Sequence, residues 1–363
     1  MLQNSEVEIK IKNRARELLK DIDVLIGYTH GNVPARVKPL FIAGATGRDG
    51  TSHETAFAEQ ETAKTAEVSA ADRLVFNKLC INNLSSYAYT QSSLTDGKTG
   101  IILKPCDVRS IVQLISEELI PENKIYAIVA GCSGVFDYRK ISKLAGSARI
   151  VSLKEQENDL IIDTVNKSVT AKKTVLYAEK CHGCTIYDNP PYSSEFIENP
   201  LKPEILNPDL LPSDAAGSNK EEDVSLLEKL ENSSLAEVAS FWDTEFERCM
   251  RCYACRNICP LEVCRDRCIT HIDSPKWQTQ RINSKEGKFF QLIRVMHLAG
   301  RCTECGECER ACPQNIPVLT LMKKMNRVVS KLFNYTAGMD IEQKPPLLTY
   351  KNVEKNITEE ELV

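Results

Sequence analysis

The chain has 363 residues, of which 42% are hydrophobic and 26% are charged, a balance typical of a folded protein long enough for two domains. Its net charge of -4 argues against a generally basic surface, so we expect no nucleic-acid partner. No apolar run reaches the roughly 20 residues of a transmembrane helix, and the N-terminus is polar where a secretory signal would be apolar. We therefore expect a cytoplasmic protein without a transmembrane segment.

Residues 1–187 alternate between candidate strands and candidate helices. Apolar runs predict strands at residues 23–28, 38–44, 100–104, 124–131, 149–153 and 174–181. Helical patterns fall at residues 13–20, 54–79 and 107–120, and the last of these gathers its apolar side chains on one face. Strands that alternate with helices favour an open, mostly parallel sheet, so we predict an α/β domain over residues 1–187.

Four cysteines follow candidate strands of this domain: Cys106, Cys132, Cys181 and Cys184. Ligands bind at the carboxyl edge of an open α/β sheet, so these thiols are expected to converge on one site. Since four thiolates satisfy a 4Fe-4S cluster, we predict a cluster here, with Cys80, inside a predicted helix, as a possible alternative ligand. The alternative is that isolated cysteines in such a core are small buried hydrophobic residues.

The composition changes beyond residue 187. Residues 188–224 are rich in proline and show no periodicity, which predicts a linker. Helical patterns return at residues 225–249, 288–300 and 318–333, with Gly300 as a candidate C-terminal cap. We predict a mainly α-helical domain over residues 225–335, followed by a polar tail over residues 336–363.

Ten of the fifteen cysteines lie in this second domain, and eight of them form two runs of the spacing C-x2-C-x2-C-x3-C-P. This is the bacterial ferredoxin spacing for 4Fe-4S clusters, in which the fourth cysteine of each run binds the other cluster. The predicted ligands are Cys249, Cys252, Cys255 and Cys312 for cluster 1, and Cys302, Cys305, Cys308 and Cys259 for cluster 2. A zinc site would instead use two well-separated pairs, four ligands in all, and fits these runs poorly.

Two further cysteines follow the first run as a C-x3-C pair, Cys264 and Cys268. They are either ligands of an additional metal or thiols that lie beside a cluster. His297, just before the second run, is interpreted as a packed or capping histidine rather than a ligand.

Several segments resemble a known family. LIGYTHGNVPARVKPLFI, NKLCINNLSSY, IILKPCDVRSIVQLI, VAGCSGV and CHGC resemble the beta-subunit family of deazaflavin-dependent hydrogenases and formate dehydrogenases. ERCMRCYACRNICPLEVC and HLAGRCTECGECERACPQNIP resemble the dicluster ferredoxin module joined to such domains in heterodisulfide-reductase-like and formate-dehydrogenase complexes of anaerobic bacteria. Glu262 departs from the pattern because relatives often carry a cysteine there. None of the residues can be matched individually to a flavin-binding residue of the family, so a bound flavin is possible but unsupported.

The resemblance implies one subunit of a larger flavin-containing complex. Its expected partners are a flavoprotein and heterodisulfide-reductase-like, hydrogenase or formate dehydrogenase subunits, with ferredoxin as a possible carrier. The first hypothesis is an electron-transfer subunit that relays electrons through two or three clusters in anaerobic metabolism. The second is a catalytic flavoprotein subunit that exchanges hydride for single electrons, and the third is a scaffold with structural clusters. The sequence leaves open whether the chain is itself an enzyme.

Overall fold

The computed structural model describes residues 6–46, 70–182, 184–203, 226–266, 268, 270, 276–279, 281–350 and 352–353. The chain divides into two compact units. The first comprises residues 1–111 and 118–213, and the second comprises residues 112–117 and 214–363. No helix in the described ranges has both the length and the apolar character of a membrane span.

The first unit is built on a five-stranded sheet. Its strands are β1 (Val24–His30), β2 (Val37–Ala43), β3 (Thr99–Leu103), β4 (Ile125–Ala130) and a short strand, Glu195–Ile197, and their order in the sheet is β2, β1, β3, β4 and Glu195–Ile197. β2 pairs antiparallel at one edge, whereas the other three pairings are parallel. The α/β fold with an open, mostly parallel sheet is therefore confirmed.

Among the described residues, helices α1 (Glu6–Leu18), α2 (Ser85–Leu94) and α3 (Pro105–Ser116) accompany this sheet. A further helix, α4 (Tyr138–Ala145), packs in a separate core with Phe136 and Tyr177. In α3 the apolar face predicted from the sequence is buried, because Val108, Ile111 and Val112 are each 0% exposed. β3 and β4 are almost wholly buried, as their continuous apolar runs require of central parallel strands.

A second sheet of the first unit is separate and antiparallel. Its strands are β5 (Ile150–Gln156), β6 (Asp159–Thr164) and β7 (Ser168–Lys172), joined in sequence order. The strand predicted at residues 149–153 therefore exists but does not extend the parallel sheet. One face of this small sheet packs with Phe136 and Tyr177 in a core that also contains Cys181.

Three local predictions for the first unit are wrong. Residues 174–181 form the short helix α5 (Lys173–Leu176) and a 3-10 turn (Glu179–Cys181) rather than a strand. Residues 74–80 are irregular, so Cys80 is not in a helix, and residues 54–69 of that predicted helix lie outside the described residues. Glu195–Ile197, within the predicted linker, pairs with β4 and is named β8; residues 204–224 lie outside the described residues.

The second unit is helical. Its helices are α6 (Leu226–Glu231), α7 (Leu235–Glu247), α8 (Ala254–Asn257), α9 (Val263–Asp266), α10 (Ser284–His297), α11 (Glu307–Arg310) and α12 (Val318–Phe333). α7 begins with a capping box between Ser234 and Glu237, and α10 begins at the N-cap Asn283. Aromatic side chains of α7 and α10 pack with cysteine thiols in one core. The predicted mainly helical C-terminal region is confirmed.

Candidate metal centres

The two cysteine runs have the same backbone. The residues on either side of the second cysteine adopt positive φ in both runs. They are Arg251 (48°) and Tyr253 (60°) in the first run, and Glu304 (58°) and Gly306 (74°) in the second. A short helix, α8 or α11, then follows, and the third residue after each fourth cysteine again has positive φ. Such left-handed positions curl the chain tightly, so that each run wraps its thiols around one centre.

The first centre is a cavity that takes its thiols from both runs. Cys249, Cys252 and Cys255 of the first run and Cys312 of the second line it. Together with its open mouth the cavity encloses about 340 Å³, and Phe290 and Ile316 contribute apolar walls. The structure thus brings together the four residues predicted to bind cluster 1, including the one supplied by the other run.

The second centre gathers Cys259 with the thiols of the second run. Burial, together with the neighbouring thiols of Cys308 and Cys259, raises the pKa of Cys302 to about 12. The same two thiols also act on Cys305. Backbone amides two residues further on donate to the sulfurs of Cys302, Cys305 and Cys259, a pattern that stabilises thiolates.

Arg294 of α10 lies between these two sets of thiols. It is 2% exposed, and the thiols of Cys308, Cys255 and Cys259 raise its already high pKa against the effect of burial. Its Nη2 donates to the carbonyl oxygen of Cys255 at 3.2 Å, whereas Nε and Nη1 are buried without a hydrogen-bond partner among the described residues. A buried cation with spare donors beside cysteine thiols fits anionic sulfur clusters in both centres.

A neighbouring amide has the same character. The Nε2 of Gln291 lies 3.9 Å from the Sγ of Cys249 and 4.0 Å from the Sγ of Cys255, and its Oε1 is buried without a partner in the described residues. The walls of the first centre therefore supply weak hydrogen-bond donors to sulfur as well as apolar surface.

The N-terminal cysteines also come together, although not all at strand ends. Cys106 and Cys132 follow the adjacent strands β3 and β4, as predicted. Cys181 and Cys184 instead lie in the turn after α5. Burial, with the nearby thiols of Cys181 and Cys184, raises the pKa of Cys132 to about 12, and Cys132 in turn acts on Cys106.

Cys80 differs from these four in the charged groups that act most strongly on it, which are Lys104, Glu8 and Asp107. Its thiol is fully buried, accepts a hydrogen bond from the amide of Asn77 at 3.4 Å and lies 3.6 Å from the carbonyl oxygen of Val75. Burial raises its pKa to about 12. The thiols of Cys106, Cys132, Cys181 and Cys184 are not among the strongest charges acting on Cys80, which favours a buried structural thiol.

A buried charge network lies at the same edge of the sheet. Lys104 and Asp107, 1% and 0% exposed, form an ion pair, and Nζ of Lys180 lies 3.5 Å from Oδ1 of Asp107. Lys104 also donates to the hydroxyl of Tyr28 at 2.7 Å. Both lysines act to lower the pKa of Cys106, against the larger effect of burial. Two lysines against one carboxylate leave positive charge beside the thiols, which suits an anionic cluster.

A third grouping in the second unit joins Cys264 and Cys268 to His297. The two Sγ atoms and a ring nitrogen all lie within 4.8 Å of one another, and Nδ1 of His297 is 3.6 Å from Sγ of Cys264. The interpretation of His297 as merely packed or capping therefore misses its contact with a thiol. Hydrogen bonds from Cys264, His297 and Thr270 lower the pKa of Cys268.

Comparison with known proteins identifies the C-terminal module. The 4Fe-4S dicluster domain family matches residues 245–316. These residues form a dicluster domain. The match includes both cysteine runs and α10 between them, so the iron-sulfur clusters predicted from the spacing are confirmed as the cofactor class, and the chain is an iron-sulfur electron-transfer protein.

Two curated relatives extend the similarity along the chain. The chain is 26% identical over 308 residues to "F420-dependent formate dehydrogenase subunit beta" of Methanocaldococcus jannaschii, covering 72% of this chain and 78% of the relative. It is 23% identical over 303 residues to "F420-dependent formate dehydrogenase 1 subunit beta" of Methanococcus maripaludis, covering 70% and 76%. The resemblance to such beta subunits stated from the motifs is thus confirmed, whereas a flavin gains no support.

A solved structure shows a slighter likeness. It is a chain of the F420-reducing [NiFe] hydrogenase complex from Methanosarcina barkeri, 13% identical, with a TM-score of 0.32 over 50% of this chain and 58% of that one. This likeness is too slight to support an argument about the fold.

Sequence reasoning missed three side chains of these centres. Lys104 acts on the nearby Cys106, whereas Arg294 and His297 act on thiols from distant parts of the chain, which nothing in their local sequence reveals. The one available signal was Lys104 in the segment IILKPCD, where a charged residue directly follows a buried strand and precedes a candidate ligand.

Proposed function

We propose that this chain is the iron-sulfur electron-transfer subunit of a multi-subunit oxidoreductase of the formate dehydrogenase or hydrogenase type. It would relay electrons between a flavin- or nucleotide-handling subunit and a low-potential carrier such as ferredoxin. The observation that carries the proposal is the cavity in which three thiols of one ferredoxin run meet the fourth thiol of the other. The names of the curated relatives supply the type of complex.

The chain's own residues have three tasks in this relay. A 4Fe-4S cluster accepts and releases one electron at a time when four thiolates hold it. Cys249, Cys252, Cys255 and Cys312 would hold cluster 1, and Cys302, Cys305, Cys308 and Cys259 would hold cluster 2. Phe290 limits the access of water, and Arg294 offsets negative charge in both centres.

We propose a third cluster in the first unit. Cys106, Cys132, Cys181 and Cys184 act on one another electrostatically, and the two buried lysines Lys104 and Lys180 lie beside them. Cys80 is the weaker candidate because the charges that act most strongly on it are those of Lys104, Glu8 and Asp107 rather than the other thiols. With this cluster the chain would offer one electron-transfer centre in the first unit and two in the second.

Iron analysis and EPR of the anaerobically purified chain test the assignment of the cysteines to three clusters. We expect about twelve irons per chain, since three clusters of four irons are proposed, and three sets of reduced-state signals. The variant Cys181→Ser/Cys184→Ser should lose about four irons and one signal, while the magnetically coupled pair of the dicluster domain persists. The variant Cys80→Ser is the matched control and should keep all signals. About eight irons in the unaltered chain would eliminate the third cluster.

Electron transfer itself is tested by stopped-flow spectroscopy. The dithionite-reduced chain should reduce an oxidised low-potential ferredoxin, and Cys308→Ser, which removes a ligand of cluster 2, should slow this transfer at least tenfold. Oxidation of formate or of reduced F420 by the isolated chain, without added subunits, would instead favour a catalytic flavoprotein. A chain whose clusters stay in one redox state throughout turnover of its complex would contradict the relay.

A further inference from the structure

The C-x3-C pair that the relay does not use lies against the end of α10. Cys264 belongs to α9, and Cys268 follows four residues later. His297 is the last residue of α10, 33 positions further along the chain, and its Nδ1 points at Sγ of Cys264 from 3.6 Å. Two segments distant in sequence thus bring two thiols and one imidazole to a single point.

The separation of these donors matches the edges of a metal tetrahedron. Zinc-ligand distances of about 2.3 Å to sulfur and about 2.0–2.1 Å to nitrogen place a sulfur and a nitrogen ligand about 3.6 Å apart at the tetrahedral angle. The observed Sγ to Nδ1 distance is 3.6 Å, and all three donors lie within 4.8 Å of one another. One ion would therefore reach all three donors with small side-chain adjustments.

This arrangement differs from that of the cluster ligands. Each thiolate of a 4Fe-4S cluster binds a different iron, so four cluster ligands surround a volume rather than a point. Among the described residues, Cys264, Cys268 and His297 are the only group of three or more candidate ligands whose donor atoms lie this close together. The group is therefore distinct from the two cluster centres, although Cys264 is near enough to Cys259 to feel its charge.

Both thiols are buried, and each has a polar group beside it. Cys264 is 5% exposed and Cys268 is 2% exposed. The hydroxyl of Thr270 lies 2.9 Å from Sγ of Cys268, where it can donate to a thiolate as outer-shell donors do at metal sites. The hydrogen bond with Cys268 and burial raise the pKa of the Cys264 thiol, and the charge of Arg294 acts against that rise. His297 lies at the C-terminus of α10, where a histidine can cap carbonyl oxygens, but its Nδ1 lies 3.6 Å from Sγ of Cys264.

We propose that Cys264, Cys268 and His297 form a mononuclear zinc site. Two thiolates and one imidazole are a donor set that zinc prefers, in tetrahedral geometry, and three protein ligands leave the fourth position to water or another donor. Zinc binding displaces the protons of the two thiols. The ion would link the segment after the first cysteine run to α10, the helix before the second run, next to cluster 2. It takes no part in electron transfer because zinc has a single accessible oxidation state.

Metal analysis of the full chain tests the site. The anaerobically purified protein should contain about one zinc per chain that survives dialysis against a weak chelator, in addition to its iron. Cys264→Ser/Cys268→Ser and His297→Gln should each lose most of this zinc while the iron content and the EPR signals of the dicluster domain persist. Cys80→Ser and His30→Gln are matched controls, a buried thiol and an exposed histidine away from the site, and should retain it.

A second measurement covers the case in which a variant fails to fold. The unaltered chain, grown with cobalt in place of zinc, should show the intense visible bands of tetrahedral Co²⁺ and a thiolate-to-cobalt charge-transfer band. Less than about a tenth of a zinc per chain, zinc unchanged in both variants, iron in place of zinc, or octahedral cobalt spectra would each overturn the proposal. Because iron content and ferredoxin reduction are measured separately, loss of the zinc site and failure of the relay are distinguishable.

Discussion

Arg294 carries a full positive charge although its side chain is only 2% exposed. Isolated charges are costly to bury, and the described surroundings offer it thiols rather than a carboxylate. Cluster thiolates from both runs would remove that cost. The residue is therefore the clearest single sign that negative charge belongs in the second unit's core, and its effect should be measurable as a change in reduction potential.

Replacing Arg294 by Met tests this effect. Methionine keeps the apolar stem of the side chain but removes the guanidinium and its charge, so adding an electron to either neighbouring cluster becomes harder. We expect both potentials to fall by tens of millivolts, on the order expected for a lost unit charge in a screened interior. EPR-monitored redox titration measures it. Arg327→Met, at an exposed position of α12, is the control, and equal potentials in the two variants would contradict the role of Arg294.

The buried pair of Lys104 and Asp107 allows a second test. Lys104→Met leaves a carboxylate that is 0% exposed with Lys180 as its remaining ion-pair partner among the described contacts. We expect a loss of about 3 kcal/mol in the free energy of unfolding, since breaking a buried ion pair exposes the full desolvation cost. Lys172→Met breaks a 3.1 Å pair with Asp159 at the surface and should cost less than about 1 kcal/mol. Anaerobic urea unfolding of both variants measures the two losses of stability. Similar losses in the two variants would contradict the importance of the buried charge network.

At the scale of the element, the two cysteine runs share one loop conformation. Both runs place a residue in the left-handed conformation before and after the second cysteine, yet one loop uses Tyr253 where the other uses Gly306. Tyrosine is strained in this conformation, and its ring packs edge-to-face on Phe290 with centroids 5.2 Å apart. That packing, together with a cation-π contact from Arg256, offsets the strain. The loop shape is thus kept by different means in the two runs.

Gly306 is the position where this conformation is most easily tested. Gly306→Val introduces a β-branched side chain at φ 74° and should lower stability by about 1–2 kcal/mol, whereas Gly306→Asn should cost much less because asparagine tolerates the left-handed region. The temperature at which the visible cluster absorbance disappears measures both. If the two variants lose their absorbance at the same temperature, backbone conformation does not control this loop.

Sequence and structure agree best where the signal is local. The cysteine runs, α3 and α12 follow from spacing and periodicity within a few residues, and each is present. Residues 174–181 misled because TVLYA is equally suited to a strand and to a short buried helix; Tyr177 is fixed by packing on Phe136, 41 residues away in sequence. Glu195–Ile197 becomes a strand only because β4 offers it a free edge.

The candidate site shows the same division. The thiols of both runs could be named from their spacing, and the crossing of Cys259 and Cys312 from the chemistry of two-cluster ferredoxins. The contacts of Arg294 and His297 could not, because each depends on how α10 packs against segments far from it in sequence. The N-terminal thiols lie near one another, although for Cys181 and Cys184 the reasoning from strand ends was wrong, and their binding of a cluster stays a prediction.

For the whole molecule, the buried thiols predict that the stability of the fold depends on pH in opposite directions with and without metal. In the metal-free chain, burial raises the pKa of Cys80, Cys132 and Cys302 from 9.0 to about 12. The stability that the neutral thiols contribute is fully present below pH 9 and is lost as the pH rises toward 12. In the loaded chain the ligands are thiolates, so protons compete with metal and stability falls toward acid pH instead.

Thermal unfolding of both forms from pH 5 to 11 measures this reversal. We expect the melting temperature of the metal-free chain to fall above pH 9 and that of the loaded chain to fall below neutral pH. Cys80→Ser should reduce the alkaline loss in the metal-free chain and leave the acid loss of the loaded chain unchanged. Parallel curves for the two forms would show that the thiols do not govern the pH dependence.

The cavity shared by the two runs also constrains when the protein can mature. Its lining thiols include Cys312, which leaves the ribosome more than fifty residues after Cys255. A nascent chain that has emerged only as far as the first run has three thiols and no fourth. With crossed ligands, neither cluster can be completed during synthesis until the second run is also outside the ribosome. Iron delivery would therefore act on a nearly finished polypeptide, and chains that terminate before residue 308 would be left without either complete centre.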